Sequence, residues 1–280
     1  MRRKHSSIEL KSPDQIKKMR AAGRVVAEGL AAMAAAAKPG ASTWDLDQIG
    51  REVIARHGAE SSFLGYAYPP FPAVICSSKN QTVVHGIPSK SDVLSEGDLM
   101  SIDYGAIVDG WHGDAAVTVA VGEASEEHAR LTEACRTSLW DGIAAARVGR
   151  RLTDISHAVE TSIRGSGSYG IVENYGGHGI GTSMHMEPHV LNYGKPGRGP
   201  HLVAGMALAI EPMIVLGSPT TEELEDGWTV ATVDGSWAAH WEHTVAILDD
   251  GLWVLTAEDG GRAELAARNV EVSQLAGSSD

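Results

Sequence analysis

The sequence predicts an α+β fold with one large core or two small ones, and three observations carry this prediction. Amphipathic helical segments alternate along the chain with short apolar segments of strand character. The dipeptide Asp109-Gly110 separates two of these apolar segments, as in an antiparallel hairpin. Segments 40–58 and 149–167 also align at a constant offset of 109 residues, which indicates two related halves. A chain of 280 residues with 43% hydrophobic content is long enough to bury one large core or two small ones.

Two helices are predicted before the first strands. Ser12 and Gln15 have the spacing of a capping box, and an apolar stripe follows over residues 16–33. Lys38-Pro39-Gly40 ends that helix. A second apolar stripe over residues 46–54 predicts another helix, which ends at the next glycine.

Two further helices are predicted in the second half. Residues 126–148 carry an apolar stripe, and Thr153-Asp154 is placed to cap a helix that continues to residue 163. The pattern Gly165-Ser-Gly167-Ser-Tyr-Gly170 matches a dinucleotide-binding loop, but it follows a helix where that motif needs a strand. Dinucleotide binding is therefore not expected. The sequence also lacks the serine-hydrolase, P-loop and H-E-x-x-H patterns.

The predicted hairpin determines the relative positions of two acidic residues. Its strands are residues 99–108 and 111–119, joined by Asp109-Gly110. With a two-residue loop, Asp103 lies opposite Ala116, and Asp114 lies two residues along on the same face. Such diagonal neighbours are about 7–8 Å apart at the backbone. Their carboxylates are therefore close enough to share one ion or a pair of ions.

Polar side chains occupy five short segments where Val or Ile is the usual residue: Asp103, Asp114, His178, Glu211 and Glu242. A carboxylate is rarely buried unless it is paired or binds a metal, because removing its water costs several kcal/mol. Four acids and one imidazole therefore predict a metal centre. Because carboxylates predominate and no thiolate takes part, Mn, Fe(II), Co or a catalytic Zn is favoured over a structural Zn. Four of the five ligands can chelate or bridge, which favours two divalent ions.

A purely structural role stays open for some candidate residues. Glu211 precedes Pro212 and could end a strand in solvent, whereas Asp109 is expected only to form the turn. His85 and His185 lie near glycine-containing segments, where each is either a structural histidine or a donor to a developing oxyanion. The other histidines receive no functional role: His5, His57, His112, His128, His157, His189, His201, His240 and His243.

Composition limits the classes of partner. The formal net charge is −13, with basic residues clustered only in the short start Arg2-Arg3-Lys4, so nucleic-acid binding is not expected. Two cysteines suit a reducing cytosol better than a disulfide scaffold. No apolar run reaches the length of a membrane helix, and we expect a cytoplasmic protein without a membrane segment.

We expect one domain over residues 1–258 and a polar C-terminal tail over residues 259–280.

A series of short motifs follows along the chain: Val84-His85-Gly-Ile-Pro88, Ser101-Ile-Asp103, Asp109-Gly-Trp-His-Gly-Asp114, Gly177-His178-Gly-Ile-Gly181, His185-Met-Glu-Pro188, Ile210-Glu211-Pro-Met213, Asp226-Gly-Trp228-Thr-Val230 and Glu242-His-Thr244. In order and spacing, these motifs resemble the type I methionine aminopeptidases over roughly residues 8–258. The resemblance implies a pita-bread fold, with pseudo-twofold halves around a curved antiparallel sheet covered by helices. It also implies that the five candidate ligands bind two divalent ions, whether Co, Mn, Fe(II) or Zn.

The resemblance further implies an activity, the removal of the initiator methionine from proteins and peptides. In that family a metal-bridging water or hydroxide attacks the first peptide bond, and Glu211 stands at the position of the general base. His185 would contact the carbonyl oxygen or its oxyanion, and His85 the scissile nitrogen. The predicted catalytic residues are therefore His85, His185 and Glu211.

By position, the resemblance also implies an apolar pocket for the methionine side chain, lined by Phe63, Tyr66, Tyr68, Cys76, Met184 and Trp228. Met184 stands where family members often have an aromatic residue, and Phe63 where Cys or Thr is common. The proline-rich stretch Tyr68-Pro-Pro-Phe-Pro72 beside the pocket is also unusual. We expect these departures to retune side-chain preference without abolishing the selection of methionine.

The expected partners are nascent polypeptides and peptides that begin with methionine, and the enzyme is expected to be a monomer. Transient proximity to the ribosome is compatible with these substrates, although no zinc finger or long basic N-terminal segment is seen as an anchor. Two other functions stay open: a pita-bread Xaa-Pro aminopeptidase or dipeptidase, and a non-catalytic binding protein of the same fold. The former usually carries an extra N-terminal domain, and the latter typically lacks metal ligands.

Overall fold

The structure, a computed structural model, describes residues 8–277, so Arg2-Arg3-Lys4 and His5 lie outside the described residues. The helices are α1 (Pro13–Ala36), α2 (Thr43–His57), α3 (Glu126–Ala145), α4 (Leu152–Ser166) and α5 (Arg262–Ala267), followed by a short 3₁₀ helix, Gln274–Gly277. The strands are β1 (Glu60–Ser61), β2 (Ile75–Lys79), β3 (Thr82–Val84), β4 (Leu99–Val108), β5 (Trp111–Ala120), β6 (Gly170–Ile171), β7 (Gly177–Gly179), β8 (Met186–Val190), β9 (Ala207–Ile210), β10 (Met213–Val215), β11 (Thr221–Glu223), β12 (Val230–Thr232), β13 (Ala238–His240), β14 (Glu242–Leu248) and β15 (Gly251–Val254).

One nine-stranded sheet organises the described chain. Its strand order is β1-β4-β5-β14-β9-β7-β8, with β2 added on β4 and β15 on β14. Two small sheets, β13-β10-β6 and β11-β12-β3, complete the β structure of residues 8–277. The pairs within the large sheet are antiparallel, and α1 and α3 pack on its strands.

The predicted helices form, with small differences at their ends. At the start of α1, Ser12 Oγ accepts the Gln15 N–H while the Gln15 side chain accepts the Ser12 N–H, which confirms the capping box. The Thr153-Asp154 cap is wrong in detail. Arg151 is the N-cap residue of α4, and Asp154 reaches back to accept its backbone N–H at 2.8 Å.

The internal repeat is visible in the structure. Helices α2 and α4 have first and last residues that differ by the same 109 positions as the sequence repeat. Each helix follows a glycine in the left-handed region, with φ of 93° at Gly40 and 86° at Gly149. Asp45 also caps the start of α2 as Asp154 caps that of α4. The two related halves are therefore built on the same local geometry.

Each half has its own hydrophobic core beside the shared sheet. The first packs α1 and α2 against β4 and β5 and includes the buried Leu46 and Tyr104. The second packs α3 and α4 against β9 and β14 and includes Ile155 and Val245. Cys76 and Cys135 are buried and free.

The segment predicted as a polar tail, residues 259–280, packs on the second core over its described part. Leu265 and Val270 are buried there, and Val272 forms a bridge with Leu252. These few apolar residues are separated by polar ones, so their burial was not apparent from composition. Among residues 8–277, no helix combines the length and the apolar character needed to cross a membrane.

Candidate active site

The β4–β5 hairpin places the first two acids as predicted. Asp109 and Gly110 have φ of 49° and 77°, as a type I′ turn requires. Asp103 pairs with Ala116, and Asp114 pairs with Gly105. Directly opposite residues, and residues two apart along a strand, face the same side of a sheet. Both carboxylates therefore lie on one face of the hairpin.

Strand β14 brings a third acid to this face. Its first residue, Glu242, pairs with Ala116 of β5, the same residue that Asp103 opposes from β4. Ala116 therefore lies between two carboxylates on neighbouring strands, with Asp114 two residues away along its own strand. A small side chain at position 116 leaves room for the three acids to converge.

The remaining two candidate ligands follow from the next strand pairs. Thr244 of β14 pairs with Ala209 of β9, and Ala209 also pairs with His178 of β7. Glu211 lies two residues beyond Ala209, just after β9 ends. The five predicted ligands therefore belong to five consecutive strands of the sheet, β4, β5, β14, β9 and β7. Four ligands lie within their strand and Glu211 follows β9, and the register of the strands brings the side chains together.

His178 is oriented by close strand packing. A Cβ atom at Gly177 would lie 2.2 Å from the Ala209 carbonyl oxygen, so only glycine fits beside His178 at that point. The His178 Nδ1–H donates to the Gly179 carbonyl at 2.9 Å. The other ring nitrogen, Nε2, is 3.5 Å from Glu211 Oε1. This arrangement places the proton on Nδ1 and leaves Nε2 available as a metal ligand.

The acids form a buried cluster of like charge. Burial raises the pKa of Asp103, Glu211 and Glu242 well above the usual range, and raises that of Asp114 to about 7. Oxygens of Asp103, Asp114 and Glu242 are buried without a hydrogen-bond partner among the described residues. A divalent cation would supply both the missing partner and the missing charge. The donor set therefore fits a metal ion.

Two overlapping groups of side chains have the spacing of a metal site. Asp114, His178 and Glu242 form one group, and Glu211, His240 and Glu242 form the other. Within each, the potential ligand atoms lie within 4.8 Å of one another. Burial lowers the pKa of His178 and of His240 to about 3, which keeps both rings in the neutral form that binds metals.

His240 was missed from the sequence. It lies close to the motif Glu242-His-Thr244 but was assigned no role. A signal was available, however, because His240 precedes Glu242 by two residues within an apolar segment. Alternate residues of an extended segment face the same side, which would have placed both side chains together.

The candidate ligands line a cavity of about 170 Å³ whose other walls are largely apolar and aromatic. The lining residues are Phe63, Tyr66, Phe71, Cys76, His85, Asp103, Asp114, Tyr175, Gly176, His178, Met184, His185, Glu211, Met213, Trp228 and Glu242. The structure therefore brings the five predicted ligands, His85, His185 and five of the six predicted pocket residues to one place.

Tyr68 is the exception, and the prediction that it lines the pocket is wrong. Its side chain is 94% exposed, whereas Phe71 is 2% exposed and lines the cavity. The Phe71 ring lies 5.1 Å from that of Trp228, and the Trp228 Nε1–H donates to the Pro69 carbonyl at 3.0 Å. The loop is thereby held with Phe71 inside and Tyr68 in solvent.

Sequence reasoning also missed Tyr175 and Met213 on the cavity wall. Met213 ends the motif Ile210-Glu211-Pro-Met213 but was given no role of its own, whereas Tyr175 lies outside the motifs. For Phe71 there was a signal in the composition, because the chain has two phenylalanines and Phe63 had already been assigned to the pocket. A large apolar ring beside a proline-rich turn is a better candidate for burial than a tyrosine.

His185 is held by Tyr66. The Tyr66 hydroxyl is 2.6 Å from His185 Nδ1, and the His185 ring centroid lies 4.3 Å from that of His178. Burial lowers the pKa of His185, so the ring is neutral near pH 7. A neutral ring that accepts from Tyr66 at Nδ1 carries its proton on Nε2 and can donate it to an oxygen in the cavity.

His85 reaches the cavity through an unusual backbone conformation. Its φ of 60° lies in the left-handed region, which side-chain-bearing residues seldom adopt. Gly86 follows, where a Cβ atom would lie 2.1 Å from the Ser77 carbonyl oxygen. Burial lowers the pKa of His85 to about 4. The turn therefore presents a neutral imidazole beside the rings of Tyr175 and Trp228, whose centroids lie 5.6 and 6.0 Å away.

Comparison with known proteins agrees with this arrangement. Residues 17–249 match the model of metallopeptidase family M24. The chain belongs to metallopeptidase family M24. This M24 chain is 56% identical over 254 residues to methionine aminopeptidase 1 of Mycobacterium tuberculosis, covering 89% of this chain and 95% of that protein.

Solved structures confirm the predicted pita-bread fold of this M24 peptidase. The crystal structure of methionine aminopeptidase from Thermotoga maritima has a TM-score of 0.87 and 40% identity, covering 90% of this chain and 100% of that one. Prolidase from Pyrococcus furiosus has a TM-score of 0.71 at 21% identity, over 89% of this chain and 65% of that one. The second likeness concerns the fold alone.

Proposed function

We propose that this M24 peptidase is a methionine aminopeptidase, which removes the N-terminal methionine from proteins and peptides by metal-dependent hydrolysis. The observation that carries the proposal is one cavity that contains both the carboxylate-rich ligand set and an apolar, aromatic lining. The carboxylate-rich ligand set suits metal-dependent hydrolysis, and the apolar, aromatic lining suits an apolar substrate side chain. Relatives at 45–56% identity named methionine aminopeptidase support the same function.

We propose that Asp103, Asp114, His178, Glu211 and Glu242 hold two divalent ions. Bound ions would lower the pKa of a water molecule and polarise the scissile carbonyl group. The high share of carboxylates favours Mn, Fe(II), Co or a catalytic Zn. Glu242 belongs to both groups of ligand atoms, so it would contribute to holding both ions.

The protein side chains would then transfer protons and donate hydrogen bonds. Glu211 would act as the general base, and its proton would pass to the leaving amine. Tyr66 holds Nδ1 of His185, so His185 Nε2–H would donate to the carbonyl oxygen of the scissile bond. His85 would contact the scissile nitrogen.

The cavity would select methionine by shape and by soft apolar contact. Phe63, Phe71 and Trp228 offer aromatic faces and edges, and Cys76 and Met184 offer polarisable sulfur. An unbranched thioether side chain suits such a lining better than a branched one. We also propose that the substrates are nascent chains and that the enzyme acts in the cytoplasm. We further propose that it is a monomer, which sedimentation equilibrium of the purified protein would test.

The test compares three peptides under anaerobic conditions with the protein loaded with Mn, Fe(II) or Co. Met-Ala-Ser should be cleaved fastest, norleucine-Ala-Ser next and Leu-Ala-Ser most slowly. Faster turnover of the Leu peptide than of the Met peptide would overturn the assignment of methionine. Cleavage of Xaa-Pro peptides in preference to Met-Ala-Ser would instead support a proline-specific peptidase, and binding without cleavage of any peptide would support a non-catalytic protein.

A further inference from the structure

His240 is a buried imidazole that the proposed reaction does not use. It ends β13, and only 2% of its surface is exposed. Its Nε2 atom has no hydrogen-bond partner among the described residues. Buried polar atoms nearly always have a partner, so an unpaired ring nitrogen beside a cluster of acids calls for an explanation.

The backbone of His240 is held firmly in place. Its N–H donates to Thr118 Oγ1 at 2.9 Å, and its carbonyl accepts from the same hydroxyl at 2.7 Å. Ser101 Oγ lies 2.7 Å from Thr118 Oγ1 as a further partner, and His240 also pairs with Met213 of β10. The position of the ring is therefore set by the fold and not by a mobile loop.

The ring nitrogen faces two of the candidate ligands. His240 Nε2 is 3.7 Å from Glu211 Oε2, which is too long for a hydrogen bond. Atoms of Glu211, His240 and Glu242 nevertheless all lie within 4.8 Å of one another. Three ligand atoms at this spacing can surround one ion, whereas the direct contacts between them are poor.

We propose that His240 Nε2 is a ligand of the ion held by Glu211 and Glu242, an inference that rests on the proposed metal centre. Each ion would then have one imidazole, His178 at one position and His240 at the other, with Glu242 common to both. A nitrogen ligand raises affinity for Co and Zn more than for Mn. The second position should therefore discriminate among metals by means of this histidine.

The principal alternative is that His240 keeps a proton on Nε2 and donates it to Glu211 after a small shift. Such a contact would orient the carboxylate without touching the ion. Both arrangements predict weaker metal binding when His240 is replaced. They differ in whether Nε2 of His240 binds the ion or carries a proton. The state of Nε2 therefore decides between them.

The first experiment uses the wild-type protein with ¹⁵N-labelled histidine, titrated with Zn and followed by NMR of the ring nitrogens, with His240→Gln used to assign the signal. We expect the Nε2 signals of both His178 and His240 to move to the range of metal-bound nitrogen. If Zn binds and only His178 moves, the inference is wrong and the proposed metal centre stands. If Zn does not bind, the metal centre itself is wrong.

The second experiment measures metal affinity by titration calorimetry. We expect His240→Gln to bind one of its two Zn ions at least about tenfold more weakly than the wild-type protein does. The change in Mn affinity should be smaller. Unchanged affinity for both Zn ions would overturn the proposal. Should this variant fail to fold, as judged by circular dichroism, the wild-type NMR titration still decides, with His178 and His240 assigned by through-bond correlation to their backbones.

The matched control is His243→Gln. It makes the same chemical change three residues away, where His243 Nδ1 is bonded to Thr256 Oγ1 at 2.9 Å and the ring lies 5.0 Å from that of Trp140. That ring packs against α3 and away from the candidate ligands. A folded His243→Gln protein should retain wild-type Zn and Mn affinities, and an equal loss in both variants would count against a specific role for His240.

Discussion

The hydroxyl of Tyr66 lies 2.6 Å from Nδ1 of His185, and this contact joins the wall of the proposed substrate cavity to a proposed catalytic ring. Burial raises the pKa of Tyr66, so the phenol is neutral and able to donate. The same residue can therefore shape the pocket and determine which nitrogen of His185 carries the proton.

Tyr66→Phe should reduce kcat/KM for Met-Ala-Ser roughly 3- to 10-fold, because one hydrogen bond that orients His185 is lost. Metal affinity should not change, since the ring is not a candidate ligand. Steady-state kinetics and calorimetry on the same preparation check both statements. Wild-type kinetics in the variant would show that Tyr66 does not position His185.

Phe71→Leu should lower kcat/KM for the Met peptide roughly tenfold, because an aromatic wall of the pocket is replaced by a smaller side chain. Tyr68→Leu, three residues away, should leave the value within about twofold because Tyr68 is 94% exposed. Kinetics with Met-Ala-Ser and norleucine-Ala-Ser provide the measurement. A larger loss of kcat/KM in Tyr68→Leu than in Phe71→Leu would show that Tyr68 lines the pocket.

Asp114→Asn should abolish metal binding at its site and peptidase activity while largely preserving the fold. The side chain is nearly isosteric, but it loses the charge that a cation requires. Metal content by mass spectrometry and secondary structure by circular dichroism test the two parts. Asp109→Asn at the exposed turn is the control and should retain both metal and activity.

Removing the metal should make stability depend on pH. Folding raises the pKa of Asp114 from its usual 3.8 to about 7 when no cation is bound. A carboxyl group shifted upward stabilises the fold at low pH, and this contribution is lost as pH rises through the folded-state value. The free energy of unfolding of the chelated protein should therefore fall between about pH 4 and pH 7, by on the order of a few kcal/mol.

Urea unfolding at a series of pH values measures this dependence. Saturating Mn or Zn should reverse it, because deprotonated carboxylates bind the ion and the folded state gains the binding energy. If the chelated protein is equally stable across that range, the acids are not held together as a cluster of like charge.

Gly23→Ala should destabilise the fold by about 1–3 kcal/mol. A Cβ atom there would lie 2.1 Å from the Leu255 carbonyl oxygen, so α1 would have to move away from the chain beneath it. Gly165→Ala in α4 is the matched control, since nothing lies within 4 Å of its added Cβ. That change should be neutral or stabilise by up to about 1 kcal/mol, as thermal and urea unfolding would show.

The sequence by itself determined the parts of the molecule that depend on local rules. A two-residue turn sets the register of its own hairpin, so the diagonal placement of Asp103 and Asp114 could be predicted from Asp109-Gly110 alone. Helix ends depend on nearby capping groups, which is why the start of α1 at Ser12 was also predictable. The chemical argument against unpaired buried acids also indicated Glu211 and Glu242 as candidate ligands without any knowledge of their positions.

Only the tertiary structure decided how distant segments meet. Glu242 opposes the same Ala116 as Asp103 because β14 pairs with β5 across more than 120 residues of chain, and no local pattern specifies that register. The inward turn of Phe71 in place of Tyr68, and the approach of His240 to Glu211, likewise depend on packing between remote elements. Residue chemistry can be read along the chain, but its geometry is created by contacts that sequence neighbours do not determine.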